Sequence, residues 1–554
     1  MKKTMLQRFI VGATAVTAAG VTIVGCSGGG TSSGTTDSGN VTTTASSSST
    51  NNTDTSGGEG KTLTVSIMQD TGGFDPHNYN SPMWIQSLVY EGLTRYVNDE
   101  IVPVIAKSWE VSADGKIYTF HLDPNNKFSD GTPVDAAIVK KNFDAVMKVK
   151  ENHDWMMMYQ VLDSVEVVDD YTVKMNLNNP YKGFLQELSL ARPVRIGAEA
   201  MFPADGDTSE EIAEPIGSGP WKVVEHVVSQ YTVFERNDNY HGTLPDYETL
   251  KVVVIPDINT AANSLKAGEI DMIYDVEGQM TGDTYHELEG AGFKTDLSKP
   301  ITTNTVALNS ASGVTQDVKV RQAMAHAIDK QSIADSIYGG MQNTADLLMS
   351  TDTPYCNFND ITKYEYSEDK ANALLEEAGW KLEGDYRKKD GEELKATFLY
   401  IGDNDAIKTM GQAIQANFKK VGINLELVPQ DETTFYDSQQ EGLFNVIQSE
   451  TWGMPFDPYS YYSSFLVPSH ADYAAQKGIS EKAELDQAVK DMLNTTDDAV
   501  ATEKSHFILQ TLADESVYVP ITYTQRAIVY NSDKVSNVTF NTTLDVPYET
   551  FSVK

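Results

Sequence analysis

Residues 397–428 read TFLYIGDNDAIKTMGQAIQANFKKVGINLELV. Thr397 to Ile401 reads as a strand, and so does Ile423 to Val428. The segment between them, Asp405 to Val421, reads as a helix. A strand, a helix and a strand in that order predict a parallel pair joined by a right-handed crossover. This unit makes the fold class α/β. A further strand is expected from Phe444 to Ser449, with Trp452 just behind it. In open α/β sheets ligands gather past the carboxyl ends of strands. Trp452 therefore falls where a binding cleft is expected.

The segment it opens, TWGMPFDPYSYYSSFLVPSH from Thr451 to His470, holds aromatics at Trp452, Phe456, Tyr459, Tyr461, Tyr462 and Phe465. Its prolines and broken spacing argue against a regular helix or strand. Rings on an irregular segment suit a binding wall, since loop residues on a rigid scaffold often serve binding.

Working outward, alternating strands are expected at Leu63 to Met68, Ile117 to Leu122, Tyr171 to Leu177 and Tyr231 to Phe234. Lys251 to Ile255 reads as a continuous apolar strand, followed by a helix from Thr260 to Ala267. Asp135 is placed to cap a helix through Ala136, Val139, Phe143 and Val146. Val320 to Ile337 reads as one amphipathic helix. Lys370 to Ala378 reads as another, stopped by Gly379.

The N-terminus is read apart from the fold. Lys2, Lys3 and Arg8 precede an apolar stretch that ends Ile23-Val24-Gly25-Cys26. The stretch is short for a membrane span and has no stop-transfer charges behind it. It resembles a bacterial lipobox, which would make Cys26 the lipid-bearing first mature residue. Residues 1–25 are thus expected to be a lipoprotein signal peptide. Residues 26–61, nearly all Ser, Thr, Gly and Asn, are expected to form a flexible linker. Gly30-Thr31-Ser32-Ser33-Gly34 within it matches a hydrolase motif, but without the strand and helix that motif requires.

The remainder is too long for one hydrophobic core, because cores stop growing at roughly 250–300 residues. Two lobes are expected. The formal net charge of −37 argues against nucleic acid and anionic membrane surfaces as partners. Two cysteines exclude a cysteine-based zinc site and leave Cys356 as an inert thiol. Gly217-Ser218-Gly219-Pro220 lacks the lysine and spacing of a phosphate loop and reads as a tight turn.

Three ordered blocks carry a resemblance. The first comprises Val102-Pro103-Val104-Ile105-Ala106-Lys107-Ser108-Trp109, Ser112 to Phe120, and Lys127-Phe128-Ser129-Asp130-Gly131-Thr132-Pro133. The second is Gly217-Ser218-Gly219-Pro220-Trp221 with Arg236, Asn237 and Tyr240. The third is Val320-Arg321-Gln322-Ala323 with Ala327-Ile328-Asp329-Lys330. Together they resemble the peptide/nickel family (family 5) of ABC-transporter solute-binding proteins, from Thr62 to the C-terminus. Phe184-Leu185-Gln186-Glu187-Leu188, Ala191-Arg192-Pro193-Val194-Arg195 and Val467-Pro468-Ser469-His470-Ala471-Asp472 look like its nickel-binding, or metallophore-binding, branch.

The resemblance implies a periplasmic-binding-protein-like fold of type II, cluster C, with a hinge and an inter-lobe ligand cleft. Residues 62–300 with 524–554 would form one lobe, and residues 301–523 the other. It implies a lipid-anchored protein on the extracytoplasmic side of a bacterial cell membrane. There it would act as a monomer, capture a nickel or other transition-metal chelate, and deliver it to an ABC permease. No intrinsic cofactor and no catalysis are expected, the bound ligand being a Ni(II) chelate. Arg192 would hold a carboxylate of the chelate, and His470 would approach the metal. Trp452, Tyr79 and Trp155 would line the pocket, with Tyr436 as a further ligand contact. Nickel-type relatives carry another arginine shortly before the tryptophan matching Trp155. Here that stretch is Lys148-Val149-Lys150-Glu151-Asn152-His153, so a second anion anchor is missing or is a lysine such as Lys150.

The residues are consistent with this by themselves. Nine histidines include no close metal-binding spacing. One imidazole cannot satisfy nickel, which favours several N and O ligands, so the others must arrive with the metal. The planar fork of Arg192 suits a carboxylate, although a buried structural ion pair would use it equally well. Two rivals stand beside the chelate reading. A dipeptide or oligopeptide binder would need an acidic partner for the ligand's amino terminus. A secreted hydrolase would need nucleophile or metal motifs, and these are missing.

Overall fold

The computed structural model describes residues 60–554, apart from residues 80, 99, 277, 403, 542 and 544. The strand–helix–strand unit is present. Lys395–Ile401 and Asn424–Gln430 run parallel along seven paired residues, joined by helix Asp405–Lys420. Asn404 caps that helix through the Ile407 N–H. Its Met410, Ile414 and Phe418 recur at helical spacing and are buried. Val446–Glu450 adds to the other edge of Lys395–Ile401, also parallel. With Thr302–Leu308, Tyr518–Thr524 and Asn343–Thr344 these strands make a six-stranded sheet.

A second large sheet has seven strands. Thr62–Ile67 lies inside it, parallel to both Thr249–Val254 and Met272–Tyr274. Leu63, Val65 and Ile67 point into its core. Lys294–Leu297, Ala527–Tyr530, Tyr231–Arg236 and Trp221–Val227 complete it. Between its strands in the chain comes a four-stranded antiparallel sheet built from Ala106–Val111, Ile117–Leu122, Thr172–Leu177 and Leu162–Asp169. Tyr118, Phe120 and Leu122 alternate inward as read. Helix Ala136–Lys148 packs on this sheet, and Asp135 caps it through the Ile138 N–H at 2.9 Å.

The fold is thus a two-lobed α/β structure organised on the two large sheets. The chain passes between them at residues 298–301 and 525–526. The two passages run side by side. Ser298 N–H donates to the Arg526 carbonyl, and Ile301 N–H to that of Thr524, both at 2.9 Å.

Two expectations are corrected. Val320 to Ile337 is not one helix but two, Val318–Ala327 and Lys330–Tyr338. Ile328 adopts extended backbone, and the Asp329 carboxylate caps the second helix through Ser332 N–H. Ile328 is itself buried, so the apolar pattern runs unbroken across the kink. The irregular segment after Thr451 contains a helix, Tyr459–Ser464. Pro458 stands at its start, where a missing N–H costs nothing. Gly379 does stop its helix as read, with φ at +88° just past Glu368–Glu377.

Candidate functional site

Arg192 lies in a loop behind the short helix Phe184–Glu187 and is half-buried. Its guanidinium donates to the Ser81 carbonyl, and its Cζ stands 5.1 Å from the Tyr79 ring centre. Among the described residues no carboxylate lies within ion-pair distance of it. Burial lowers its pKa, partly offset by the nearby Tyr79 hydroxyl.

Tyr79 is locked by two partners. Trp155 Nε1–H donates to its oxygen at 3.0 Å, and its own O–H lies 2.5 Å from His153 Nδ1. Burial pushes the His153 imidazole down to about 4, so at neutral pH the ring is uncharged and can accept that proton. Tyr79 thereby presents a fixed ring face to Arg192.

Trp452 follows strand Val446–Glu450, as read. The buried Asp457 shapes its turn, accepting the N–H groups of Trp452 at 3.2 Å and Gly453 at 2.8 Å. Burial raises the Asp457 carboxyl to about 6 against the pull of those two N–H groups. Gly453 has φ of +73°, and a Cβ there would sit 3.0 Å from the Ile301 carbonyl, so glycine is required. The Trp452 ring is 5.7 Å from Trp155, edge to face, and 5.5 Å from the His470 ring.

His470 stands at the N-cap position of helix Ala471–Gln476, with its side chain 31% exposed. Its Nδ1 lies 3.0 Å from Asp472 Oδ2, off the axis of a good hydrogen bond. Asp472 is buried and accepts from Tyr518 O–H at 2.6 Å and Ser464 O–H at 3.1 Å. Burial pushes its carboxyl up, but His470, Tyr518 and Ser464 together outweigh this and hold it below the usual range.

Five of the residues singled out in the sequence therefore form one line: Arg192, Tyr79, Trp155, Trp452 and His470. The first three come from segments between strands of the seven-stranded sheet. The last two follow a strand of the six-stranded sheet. Tyr436 stands apart on helix Glu432–Glu441, 48% exposed, its ring against Phe435. Cys26 lies outside the described residues.

The aromatic segment is mostly core rather than wall. Tyr459, Tyr461, Tyr462 and Phe465 are fully packed, and Tyr461 and Phe465 stack around Tyr518. Only Trp452 among its six rings remains half-exposed. Cys356 is buried beside Tyr462 and Ser505, and burial pushes its thiol up to about 12, which keeps it unreactive. Arg195 pairs with Asp545 at 3.8 Å, a structural role.

Three neighbours of the line escaped the sequence reading. His153 belongs to no metal-binding spacing and carries no local signal. Asp472 offered one signal, an acid two residues after a histidine. Glu187 sits in the apolar run before Arg192, and burial raises its carboxyl to about 7 against its hydrogen bonds. Among the described residues no three His, Cys, Asp or Glu side chains gather as a metal site.

The family model for bacterial extracellular solute-binding proteins, family 5 Middle, matches residues 100–473. The nickel-binding periplasmic protein of Escherichia coli K12 is 36% identical over 493 residues, 88% of this chain and 94% of that one. The crystal structure of NikA from Brucella suis in complex with Fe(III)-EDTA superposes with a TM-score of 0.87 at 40% identity. The match covers 89% of this chain and all of that one. The oligopeptide-binding protein AppA of Bacillus subtilis is 27% identical over 79% of this chain and 81% of its own length.

Proposed function

This chain belongs to the family 5 bacterial extracellular solute-binding proteins, and we propose that it captures a nickel chelate for an ABC importer. One observation carries the reading. A guanidinium with no carboxylate partner among the described residues and an imidazole stand at opposite ends of one aromatic line, on segments from different sheets. Arg192 would take a carboxylate of the chelate, and His470 would complete the coordination of its metal. Since no cluster of metal ligands accompanies His470 among the described residues, the remaining ligands would arrive with nickel.

Asp472 supports the His470 role. With Nδ1–H turned toward this carboxylate, Nε2 keeps its lone pair for a metal, the usual arrangement behind ligating histidines. Closure follows from the two chain passages. Residues 62–300 with 524–554 would move as one lobe against residues 301–523, and a chelate gripped from both sides would favour the closed form. Its anchor would be a lipid on Cys26, leaving the protein on the extracytoplasmic face beside its permease. Labelling with palmitate should mark the wild-type protein and not Cys26→Ser. Equal labelling of both would place the lipid elsewhere or nowhere.

The peptide reading is weaker at this site. A peptide's amino terminus needs a free carboxylate. Asp457 is engaged by two backbone N–H groups, and Asp472 by two hydroxyls and the His470 ring. Calorimetry decides between the readings. Nickel with excess L-histidine is expected to bind at least about 100-fold more tightly than nickel alone, because one imidazole leaves most of the metal's coordination unfilled. Di- and tripeptides should bind more weakly than the chelate. Tighter binding of a peptide would overturn the nickel reading.

A further inference from the structure

Ser460 and Ser463 lie one turn apart on helix Tyr459–Ser464, and so share one face. Ser460 O–H donates to Glu187 Oε1 at 2.9 Å. Ser463 O–H has two carbonyls within reach at 2.8 Å, those of Trp155 and Ser460. Glu187 is fully buried and takes two further donors, Tyr181 O–H on Oε1 and Met158 N–H on Oε2, both at 2.7 Å. The serine helix hangs from the six-stranded sheet, between Trp452 and His470. Glu187, Tyr181, Met158 and Trp155 all lie in the chain between strands of the seven-stranded sheet.

A buried carboxylate is costly unless its oxygens are fully hydrogen-bonded, and an apolar residue would fill the same space more cheaply. Here the third donor comes from across the seam. Full satisfaction of Glu187 therefore depends on the serine helix being in place. Lys182 also crosses this seam, its backbone N–H donating to the Leu493 carbonyl at 2.8 Å and its ammonium meeting Asp498 at 2.5 Å; that carboxylate is 77% exposed, and exposed pairs contribute little. The Glu187–Ser460 contact differs in joining two buried side chains, so breaking it leaves a buried carboxylate short of a donor.

We propose that Glu187, with Ser460 and Ser463, is a closure latch. It positions the Trp155 wall through Met158, and it holds the two lobes together with or without ligand. The inference rests on the reading of this seam as the mouth of a ligand cleft. Opening would strip Ser460 from Glu187 in the empty protein as in the bound one, so the latch slows ligand release and ligand entry alike.

Two measurements test it on the full-length protein. In stopped-flow release of nickel–histidine followed by tryptophan fluorescence, Ser460→Ala is expected to speed release about tenfold, with association faster rather than slower. Glu187→Leu, which removes both acceptor oxygens in a side chain of similar size, should act similarly. The double variant should be no faster than the worse single one, because both changes break the same contact. Unchanged release in Ser460→Ala, or fully additive effects, would overturn the latch. Small-angle scattering of ligand-free protein gives the independent arm. Ser460→Ala should be more extended than wild type, and identical profiles would likewise overturn the proposal. If nickel–histidine fails to bind the wild type, the ligand reading falls, while the scattering comparison still decides the latch.

Discussion

Arg192→Ala is expected to weaken binding of nickel–histidine by about 2–5 kcal/mol, roughly 30-fold to several thousandfold, mostly as faster release. The magnitude follows from the surroundings of the guanidinium. It is half-buried, engages one backbone carbonyl, and packs over the Tyr79 ring. Burial lowers its pKa, so the charged form is under strain until an anion arrives. A ligand carboxylate would relieve that strain and occupy the unused N–H donors. The rival reading, a structural ion pair, required a protein carboxylate nearby, and among the described residues none is within reach. The two readings also differ in stability. A structural arginine would cost folding free energy when truncated, whereas Arg192→Ala should leave the denaturant midpoint nearly unchanged. Arg192→Lys should recover little affinity, since one ammonium cannot reproduce the fork. Full affinity for the chelate in Arg192→Ala, measured by calorimetry, would remove Arg192 from the site.

The fold was legible where local pattern and tertiary role agree. In residues 397–428 the strand runs and the helix between them already state a parallel pair, and the parallel register bears this out. Legibility failed where the pattern is blind to backbone. Ile328 is as apolar and buried as its helical neighbours, so nothing in its spacing reveals that it is extended. It failed differently in the segment 451–470. Composition there suggested a wall of rings, but burial is decided by what packs behind each ring. For Tyr461 and Phe465 that is Tyr518, far off in the chain. The candidate site was legible only through resemblance. No local pattern relates Tyr79 to Trp452, since the line between them forms only when segments from two sheets meet. His153, Glu187 and Asp472 were hidden for the same reason. Each is made important by a partner distant in sequence or by burial, not by its neighbours in the chain.

His470→Ala should lose more than about 100-fold in affinity for nickel–histidine, while its binding of metal-free histidine barely changes. The scale comes from the effect of disturbing residues behind a metal ligand, roughly 10–100-fold, which loss of the ligand itself should exceed. Asp472→Asn should fall within that smaller range. Its side chain keeps the shape but loses the charge beside Nδ1, which lies 3.0 Å from Oδ2 in the native protein. Metal-free histidine is the control because it keeps the carboxylate for Arg192 and removes only the metal. The dependence on pH has a definite sign. A protonated imidazole has no lone pair for a metal, so acidification weakens binding of the chelate. Asp472 is held below the usual carboxylate range. A carboxyl with a depressed pKa stays ionised until pH falls through that lowered value, so mild acidification leaves Asp472 charged. Mild acidification also protonates the imidazole and amine of the chelating histidine, so both proteins lose affinity, and the part that depends on His470 is the excess loss in wild type over His470→Ala. Calorimetric titrations of both proteins, repeated at neutral and mildly acidic pH, make the comparison. Equal chelate binding by wild type and His470→Ala would reject direct ligation. His470 would then be a cleft residue that packs on Trp452 and pairs with Asp472, and the metal would be held by its chelator alone.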